Sequence, residues 1–225
     1  AFNTAAERSA YAESVRDSEF ARQLKNRAVS YCWGRATIVS DHPDKVLTSA
    51  AKTETHLAPK LRQVVDATKR ELFLVSPYFV PGKQGVHLLA SVRRRGARVV
   101  VITNSLASTD GVPVHSKYQR YRKPLLQAGV ELYELKPTAG AQRGGRSGGF
   151  RGLGGPSGSG SAALHAKTFA FDRRIGFIGS YNLDPRSNKL NTEMGVLFDC
   201  PKLARRLPET LDRDMARRQL GHGRG

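Results

Sequence analysis

The sequence predicts an α/β fold in which a mostly parallel mixed sheet is flanked by helices on both faces. Short, mainly apolar runs of strand length, at 72–75 and 98–102, alternate with segments whose apolar residues recur at helical spacing. The 225 residues are enough for one large or two small domains with a substantial core. Strands that alternate with helices in this way form a sheet covered by helices.

The chain divides into a connecting segment, a main domain and a tail. Residues 1–44 are expected to link the main domain to a preceding one, with a solvated helix at about 5–29 and a brief strand at 36–39. The main domain is expected at 45–214 and begins with one or two amphipathic helices, which Pro59 can interrupt. The glycine-rich end at 215–225 is expected to be frayed.

The alternation is most regular between residues 72 and 135. Strands are predicted at 72–75, 98–102 and 130–135, and helices at about 84–95 and 117–127. The first strand is uniformly apolar, which is typical of a parallel strand buried on both faces. Its polar and aromatic end, where Tyr78 and Phe79 follow Ser76, is where α/β proteins bind ligands, although ordinary loop packing explains it equally well.

Residues 138–162 consist largely of Gly, Ser and Arg. Such a segment buries too little apolar surface to offset the entropy of ordering it. We expect a flexible loop, which is either a simple connector or a basic flap over an anionic substrate.

The net charge restricts the partners. Lys and Arg number 37 against 19 Asp and Glu, which gives +18 at pH 7 and favours phospholipid head groups or nucleic acid. No apolar run is long enough to span a bilayer, so membrane contact is expected to be peripheral. Cys32 and Cys200 fit neither a zinc pattern nor a disulfide framework, which favours a reducing compartment.

The stretch 164–172 carries the residues most suited to catalysis. In a strand, His165 and Lys167 project from the same face. An imidazole beside an ammonium suits attack on a phosphate, because the lysine neutralises a phosphoryl oxygen while the histidine serves as nucleophile, base or acid. The alternative is a core histidine next to a surface lysine.

The next predicted strand, at 175–178, ends in a small-residue turn. Gly179 and Ser180 can direct a backbone N–H and a hydroxyl at one anion, and Asn182 adds an amide donor. Glu193 is placed to accept a hydrogen bond from the histidine and so fix its tautomer. These groups predict a phosphate-binding pocket beside His165 and Lys167.

His165, Lys167 and Asp172 match the His-x-Lys-x4-Asp signature, called HKD, of the phospholipase D superfamily, which this chain resembles. The supporting positions of that family match Ser180, Asn182 and Glu193. The sequence segments at 76–81, 129–134 and 182–193 are similar to those of bacterial cardiolipin synthases of this type. A partial copy at 114–117 contains His115 and Lys117 but has Arg122 where the aspartate should be, so we interpret it as the start of a basic, solvated helix, with a head-group contact as the alternative.

The resemblance implies phosphatidyl transfer or phospholipase D-type hydrolysis through a phosphohistidine intermediate, with no metal or other cofactor. His165, Lys167 and Asp172 are the implied catalytic residues, with Asp172 in a structural role. Lys167, Ser180 and Asn182 are implied to hold the phosphate oxygens, and Glu193 to orient an imidazole.

The family carries two HKD motifs, whereas this chain shows one. The resemblance therefore implies a carboxyl-terminal half that needs either its amino-terminal partner half or a second copy related by a twofold axis. The implied substrates are anionic phospholipids such as phosphatidylglycerol. The implied location is the cytoplasmic side of the bacterial inner membrane, where the protein would bind peripherally. The alternatives are an HKD nuclease acting as a homodimer, with nucleic acid as the second choice of partner, and an inactive basic fragment that binds anions.

Overall fold

The computed structural model describes residues 16–47, 56–109, 112–135, 154–155 and 163–218. The chain divides into two units, residues 1–33 and residues 34–225. In the first unit, helix α1 (Glu19–Lys25) begins after Ser18, whose hydroxyl accepts the N–H of Ala21 at 3.1 Å. None of the residues of α1 is buried, as expected for a solvated helix, although the predicted range of 5–29 extends beyond the described residues at its start.

The second unit is built on a seven-stranded sheet. Its strands are β1 (Arg35–Ser40), β2 (Glu71–Val75), β3 (Arg98–Asn104), β4 (Glu131–Leu135), β7 (Thr168–Phe171), β8 (Ile175–Gly179) and β9 (Met194–Asp199). Their order across the sheet is β1-β9-β8-β7-β2-β3-β4. Two short strands, β5 (Gly154–Gly155) and β6 (Ala163–Leu164), pair with each other outside this sheet.

Helices cover both faces of the sheet, which confirms the predicted α/β class. The helices of this unit are α2 (Leu57–Ala67), α3 (Gly82–Arg94), α4 (Val112–Gln127), α5 (Pro185–Lys189), α6 (Pro201–Ala204) and α7 (Arg206–Arg218), with a 3₁₀ turn at Pro43–Val46. Apolar residues of α2, α3 and α4 pack on one face, whereas Leu207 and Leu211 of α7 pack on the other. In the described ranges, no helix combines the length and the apolar character needed to cross a bilayer.

The expectation that the sheet is mostly parallel is wrong. Only the β2-β3 and β3-β4 pairs of this sheet are parallel, and the other four neighbouring pairs are antiparallel. The parallel pairs are those joined through α3 and α4, because a parallel connection needs a crossover. Strands β7 and β8 are instead joined by a tight turn, in which Asp172 and Arg173 adopt φ values of 52° and 55° as such hairpins require.

The predicted domain boundaries also need correction. Strand β1 pairs with β9 along its whole length, so the main domain includes residues before 45. The sequence pattern missed this because β1 is an edge strand in which only Val39 is buried. Helix α7 continues to Arg218, beyond the predicted end at 214. Except for β5, the predicted flexible loop at 138–162 lies outside the described residues, as do residues 219–225 of the predicted tail.

Candidate active site

Four strands bring most of the candidate residues to one edge of the sheet. The start of β7 lies beside the ends of β2 and β8, and β9 begins beside the end of β8. The N–H of Gly179 donates to the carbonyl of Lys167 at 3.2 Å, and the N–H of Ser180 donates to the carbonyl of Met194 at 2.9 Å. This register places the segments 165–167, 179–182 and 193–194 next to one another.

His165 and Lys167 are in direct contact. The Nζ atom of Lys167 lies 3.0 Å from Nε2 of His165 and 2.8 Å from the His165 carbonyl oxygen. The two residues lie just before β7, and their side chains meet as expected from their spacing. Because an ammonium only donates hydrogen bonds, this contact suits a neutral ring that carries its hydrogen on Nδ1. His165 is exposed and Lys167 is 9% exposed, so a core histidine beside a surface lysine does not describe the pair.

The buried Glu193 and the exposed Ser180 form a second part of this region. The Oε2 atom of Glu193 accepts the hydroxyl of Ser180, and its Oε1 atom accepts the hydroxyl of Ser187 at 2.8 Å and the amide of Asn191 at 3.3 Å. Glu193 is 6% exposed. Among the described residues, its side chain therefore contacts two hydroxyls and an amide rather than the imidazole expected from the sequence. The proton of Ser180 is directed at Glu193.

Asn182 links the turn after β8 to the end of β2. It is buried, its N–H donates to the hydroxyl of Ser187 at 3.3 Å, and its Oδ1 atom lies 3.5 Å from the hydroxyl of Ser76. The hydroxyl of Ser76 also accepts the N–H of Leu183 at 3.1 Å. The polar end of β2, singled out by the sequence, is therefore part of the same region.

Asp172 does not share the site with His165, contrary to its expected place among the catalytic residues. The strand β7 lies between them and spans roughly 13 Å. The Asp172 carboxylate accepts the N–H groups of Lys69, Arg70 and Glu71 at 3.0, 2.7 and 2.9 Å. Partial burial acts to raise the pKa of Asp172, but these hydrogen bonds outweigh it and the net pKa is lowered. Asp172 joins the β7-β8 turn to the start of β2.

Ser187 is a contact of Glu193 to which sequence reasoning gave no role. It is fully buried in the first turn of α5, where the carboxylate of Asp184 accepts the N–H groups of Arg186 at 2.7 Å and Ser187 at 3.2 Å. An aspartate followed by proline is a recognisable helix start, but the pattern does not say which way the serine points.

Two tyrosines, Tyr118 and Tyr181, are also buried. Burial, followed by the nearby carboxylates of Asp184, Asp41 and Glu193, raises the pKa of Tyr181. In the partial motif copy, His115 is buried against Tyr118, with ring centroids 5.5 Å apart. The interpretation of His115 as part of a solvated face is therefore wrong.

In the part of the chain that the structure describes, no three His, Cys, Asp or Glu residues are grouped to hold a metal ion, and metal-free chemistry stays a prediction.

Residues 61–215 match a family model described as cardiolipin synthase, phospholipase D-like domain. The chain belongs to this phospholipase D-like family. It is 40% identical over 194 residues to cardiolipin synthase C of Escherichia coli (strain K12), a match that covers 86% of this chain and 40% of that protein. An uncharacterized protein of Helicobacter pylori (strain ATCC 700392 / 26695) is 32% identical over 176 residues, which cover 78% of this chain and 32% of that protein. This phospholipase D-like chain therefore spans about two fifths or less of the length of these relatives.

Solved structures show the same fold. NucT from Helicobacter pylori aligns with a TM-score of 0.54 at 13% identity, over 80% of this chain and 95% of that one. Nuc from Salmonella typhimurium, a phospholipase D family member, aligns with a TM-score of 0.52 at 14% identity, over 80% and 94% of the two chains. Phosphatidylserine synthase from Haemophilus influenzae Rd KW20 aligns with a TM-score of 0.52 at 17% identity, over 83% of this chain and 39% of that one. These likenesses concern the fold, and they confirm the phospholipase D-like architecture.

Proposed function

We propose that this chain supplies one of the two HKD motifs of a phosphatidyltransferase of the phospholipase D type, which makes cardiolipin through a phosphohistidine intermediate. The observation that carries the proposal is the exposed His165 ring with the ammonium of Lys167 3.0 Å from its Nε2 atom. Family membership and the identity to cardiolipin synthase C support phospholipids as the substrate class. The chain would be the carboxyl-terminal half of the complete enzyme.

The proposed reaction has two displacement steps. In the first, Nε2 of one motif histidine attacks the phosphorus, the bond to the departing alcohol breaks, and a second histidine gives that alcohol a proton. In the second, an acceptor hydroxyl loses its proton to the second histidine and attacks the phosphorus, and the P–N bond breaks. When phosphatidylglycerol is both donor and acceptor, the products are cardiolipin and glycerol. His165 takes one of the two histidine roles.

Lys167 provides the positive charge that these steps need. Its Nζ atom can exchange the contact with His165 for one with a non-bridging phosphate oxygen as negative charge redistributes. Asn182 and Ser180, which follow β8 at the same edge of the sheet, are assigned to the phosphate pocket. Glu193 holds the Ser180 hydroxyl in place, and this hydroxyl donates to a phosphate oxygen by exchanging Glu193 for it as acceptor.

A second lobe is proposed because apolar side chains of the described strands are exposed on the sheet next to the site. Ile178, Val196 and Ile38 form one row across β8, β9 and β1, and they are 50%, 37% and 70% exposed. In the adjoining row, Met194 is 57% exposed and its carbonyl accepts the N–H of Ser180. Contiguous apolar surface of this kind marks an interaction site. We call these four apolar residues the open face.

The occupant that we propose for the open face is a second phospholipase D-like lobe. On the same side of the sheet, Leu207 and Leu211 of helix α7 pack against β2, β3, β4 and β7. The chain corresponds to 40% of the length of cardiolipin synthase C, which leaves enough length in that protein for a second lobe of this size. A lobe on the open face would lie next to Ser180 and could bring a second histidine to the substrate.

The proposed partners outside the protein are anionic phospholipids, phosphatidylglycerol in particular. The net charge of +18 favours adsorption to an anionic lipid surface. We therefore propose peripheral binding at the cytoplasmic side of the bacterial inner membrane.

The test uses the intact polypeptide that contains this chain and vesicles of phosphatidylglycerol in phosphatidylcholine. The wild type is expected to release glycerol and form cardiolipin, and His165→Ala is expected to lower turnover at least about 10³-fold without unfolding the protein. His87→Ala, which changes an exposed histidine of α3, is the matched control and should keep wild-type turnover.

Three outcomes would contradict the proposal. Retained transfer in His165→Ala would remove His165 from the reaction. Digestion of DNA in place of lipid transfer would favour the nuclease alternative, which the basic charge also permits. Salt-sensitive vesicle binding without turnover would favour a basic module that only binds anions.

A further inference from the structure

A buried ion pair outside the HKD motif lies directly behind Glu193. Lys45 is part of the 3₁₀ turn that follows β1, and Asp41 precedes that turn. The Nζ atom of Lys45 is 2.7 Å from Oδ2 of Asp41, and the two side chains are 1% and 0% exposed. We call Asp41 and Lys45 the buried pair.

Asp41 binds both backbone groups of Glu193, and Lys45 binds the carbonyl of Ser187. The Oδ2 atom of Asp41 accepts the N–H of Glu193 at 2.8 Å, and the N–H of Asp41 donates to the carbonyl of Glu193 at 2.8 Å. Lys45 donates to the carbonyl of Ser187 at 2.8 Å, and the hydroxyl of Ser187 donates to Oε1 of Glu193 at 2.8 Å. The other carboxylate oxygen of Glu193 accepts the hydroxyl of Ser180. A continuous set of hydrogen bonds thus connects the buried pair to the candidate site.

Stability alone is a weak explanation for two charges in this position. The loss of hydration on burial offsets much of the attraction between the ions, and apolar replacement of a buried pair is often neutral or stabilising. Asp41 also accepts the N–H of Leu57 at 2.7 Å, at the start of α2, so a purely structural role is the alternative. However, Asp41 also accepts the N–H of Glu193 and Lys45 donates to Ser187, and both contacts lead to the Glu193 carboxylate that accepts the Ser180 hydroxyl.

We propose that Asp41 and Lys45 are positioning residues for the phosphate pocket. They fix the backbone of Glu193 and, through Ser187, one of its carboxylate oxygens. Glu193 then has one orientation in which to hold the Ser180 hydroxyl. The inference rests on the proposed function, because it assigns the pair to the transfer reaction carried out at His165 and Lys167.

The decisive variant is Asp41→Leu/Lys45→Met in the intact polypeptide. It removes both charges together and keeps similar volume, so that no unpaired ion is left in the core. For phosphatidylglycerol vesicles we expect kcat to fall about 10- to 100-fold while KM changes less than about twofold, since the pair orders the site without touching the lipid. Lys45→Arg, which keeps the charge and a donor, should lie between the wild type and the double variant.

The matched control is Arg98→Met/Glu131→Leu. It removes a bidentate pair, with N–O distances of 2.9 and 2.8 Å, at the opposite edge of the sheet. This variant should change the melting temperature but leave kcat per folded molecule as in the wild type. A double variant at the buried pair that folds and keeps wild-type kcat would overturn the inference.

If Asp41→Leu/Lys45→Met fails to fold, Asp41→Asn becomes the test. A loss of kcat larger than the loss of folded protein then supports positioning, and an equal loss overturns it. The proposed function fails separately. A wild-type protein without lipid transfer refutes the phosphatidyltransferase assignment, whereas normal wild-type transfer with unaffected variants refutes only the role of the buried pair.

Discussion

The carboxylate of Asp172 and the ring of His165 stand at opposite ends of β7 and have different surroundings. Asp172 accepts three backbone N–H groups from residues 69–71, whereas His165 is exposed beside Lys167. By holding the turn against the start of β2, Asp172 fixes the pairing of β7 with β2. That pairing in turn sets where residues 165–167 emerge at the other edge. The spacing from His165 to Asp172 therefore combines the proposed reacting group with the group that sets the register of its strand.

Asp172→Asn tests whether Asp172 has a structural role that is separate from the reaction at His165. Asparagine tolerates the left-handed backbone found there, so the substitution removes the charge and adds little strain. We expect the free energy of unfolding to fall by about 1–2 kcal/mol, near the lower range for hydrogen bonds to a charged acceptor because the site is partly solvated. Urea titration checks the loss, and kcat per folded molecule should change far less than in His165→Ala.

The same substitution predicts a pH dependence. The hydrogen bonds lower the pKa of Asp172 in the folded state. The stabilisation is therefore complete above the unfolded pKa of about 3.9 and is lost as the pH falls through the folded value. Unfolding curves of the wild type and Asp172→Asn should differ by a constant amount near neutral pH and converge in acid. A gap that widens in acid would contradict the assignment.

At the scale of elements, glycines allow β8 and β9 to approach closely beside the site. A Cβ atom on Gly179 would lie 2.7 Å from Cα of Gly195 and 2.7 Å from the ring of Phe177. Because backbone cannot move aside cheaply, Gly179→Ala is expected to destabilise the fold by about 1–3 kcal/mol. It should also lower kcat, since Ser180 is the next residue.

Gly176→Ala is the matched control in the same strand. There the new methyl group would meet the ring of Phe198, a side chain that can rotate, rather than backbone. We expect a smaller loss of stability and little change in kcat for this variant. Thermal unfolding and lipid-transfer rates measure both effects. Equal effects at the two positions would show that close backbone approach at Gly179 is unimportant for the site.

Sequence patterns predicted the helices and central strands well because their buried positions are occupied by apolar residues, and the spacing of these residues differs between helices and strands. Strand β2 is buried at every position, and it was expected at 72–75. The edge strand β1 leaves such a weak signal that its place in the sheet was missed, although its short apolar run was recognised. The direction of pairing was also missed, because a hairpin such as β7-β8 is decided by the turn at 172–174 rather than by the strand residues.

For the site, spacing identified His165 and Lys167 because two residues on one extended segment are local in sequence. The surroundings of Glu193 were not identified, since they depend on contacts between distant parts of the chain. Asp41 is hydrogen-bonded to Glu193 across 152 positions, and the sequence placed it in the connecting segment at 1–44. Hydrogen-bond partners that meet only through the register of the sheet leave no local pattern.

In the main unit, ion pairs join a helix to the sheet at the edge away from His165, whereas apolar side chains are exposed on the face beside the site. At the edge away from His165, Arg98 and Arg173 both contact Glu71 and Asp212, which attaches α7 to the sheet. The carboxylate of Glu131, followed by that of Glu71, raises the pKa of Arg98, and the carboxylates of Glu71 and Asp212 raise the pKa of Arg173. Helix α7 is thus held over β2, β3 and β4, while the residues of the open face on β8, β9 and β1 are exposed beside the site.

Ile38→Asp tests the open face without altering the pocket, because Ile38 lies on the edge strand β1 and is 70% exposed in this chain. The unit should fold normally, yet a second lobe would have to bury the new carboxylate. In the intact polypeptide we expect this to weaken lobe contact by about 2 kcal/mol or more and to lower lipid transfer accordingly. Thr37→Asp is the control, since residue 37 is exposed and projects from the opposite side of the same strand. Hydrogen exchange of residues 176–180 and 194–198, measured with the transfer rate, decides the matter: faster exchange and slower transfer in Ile38→Asp alone support the second lobe, and unchanged values in both variants refute it.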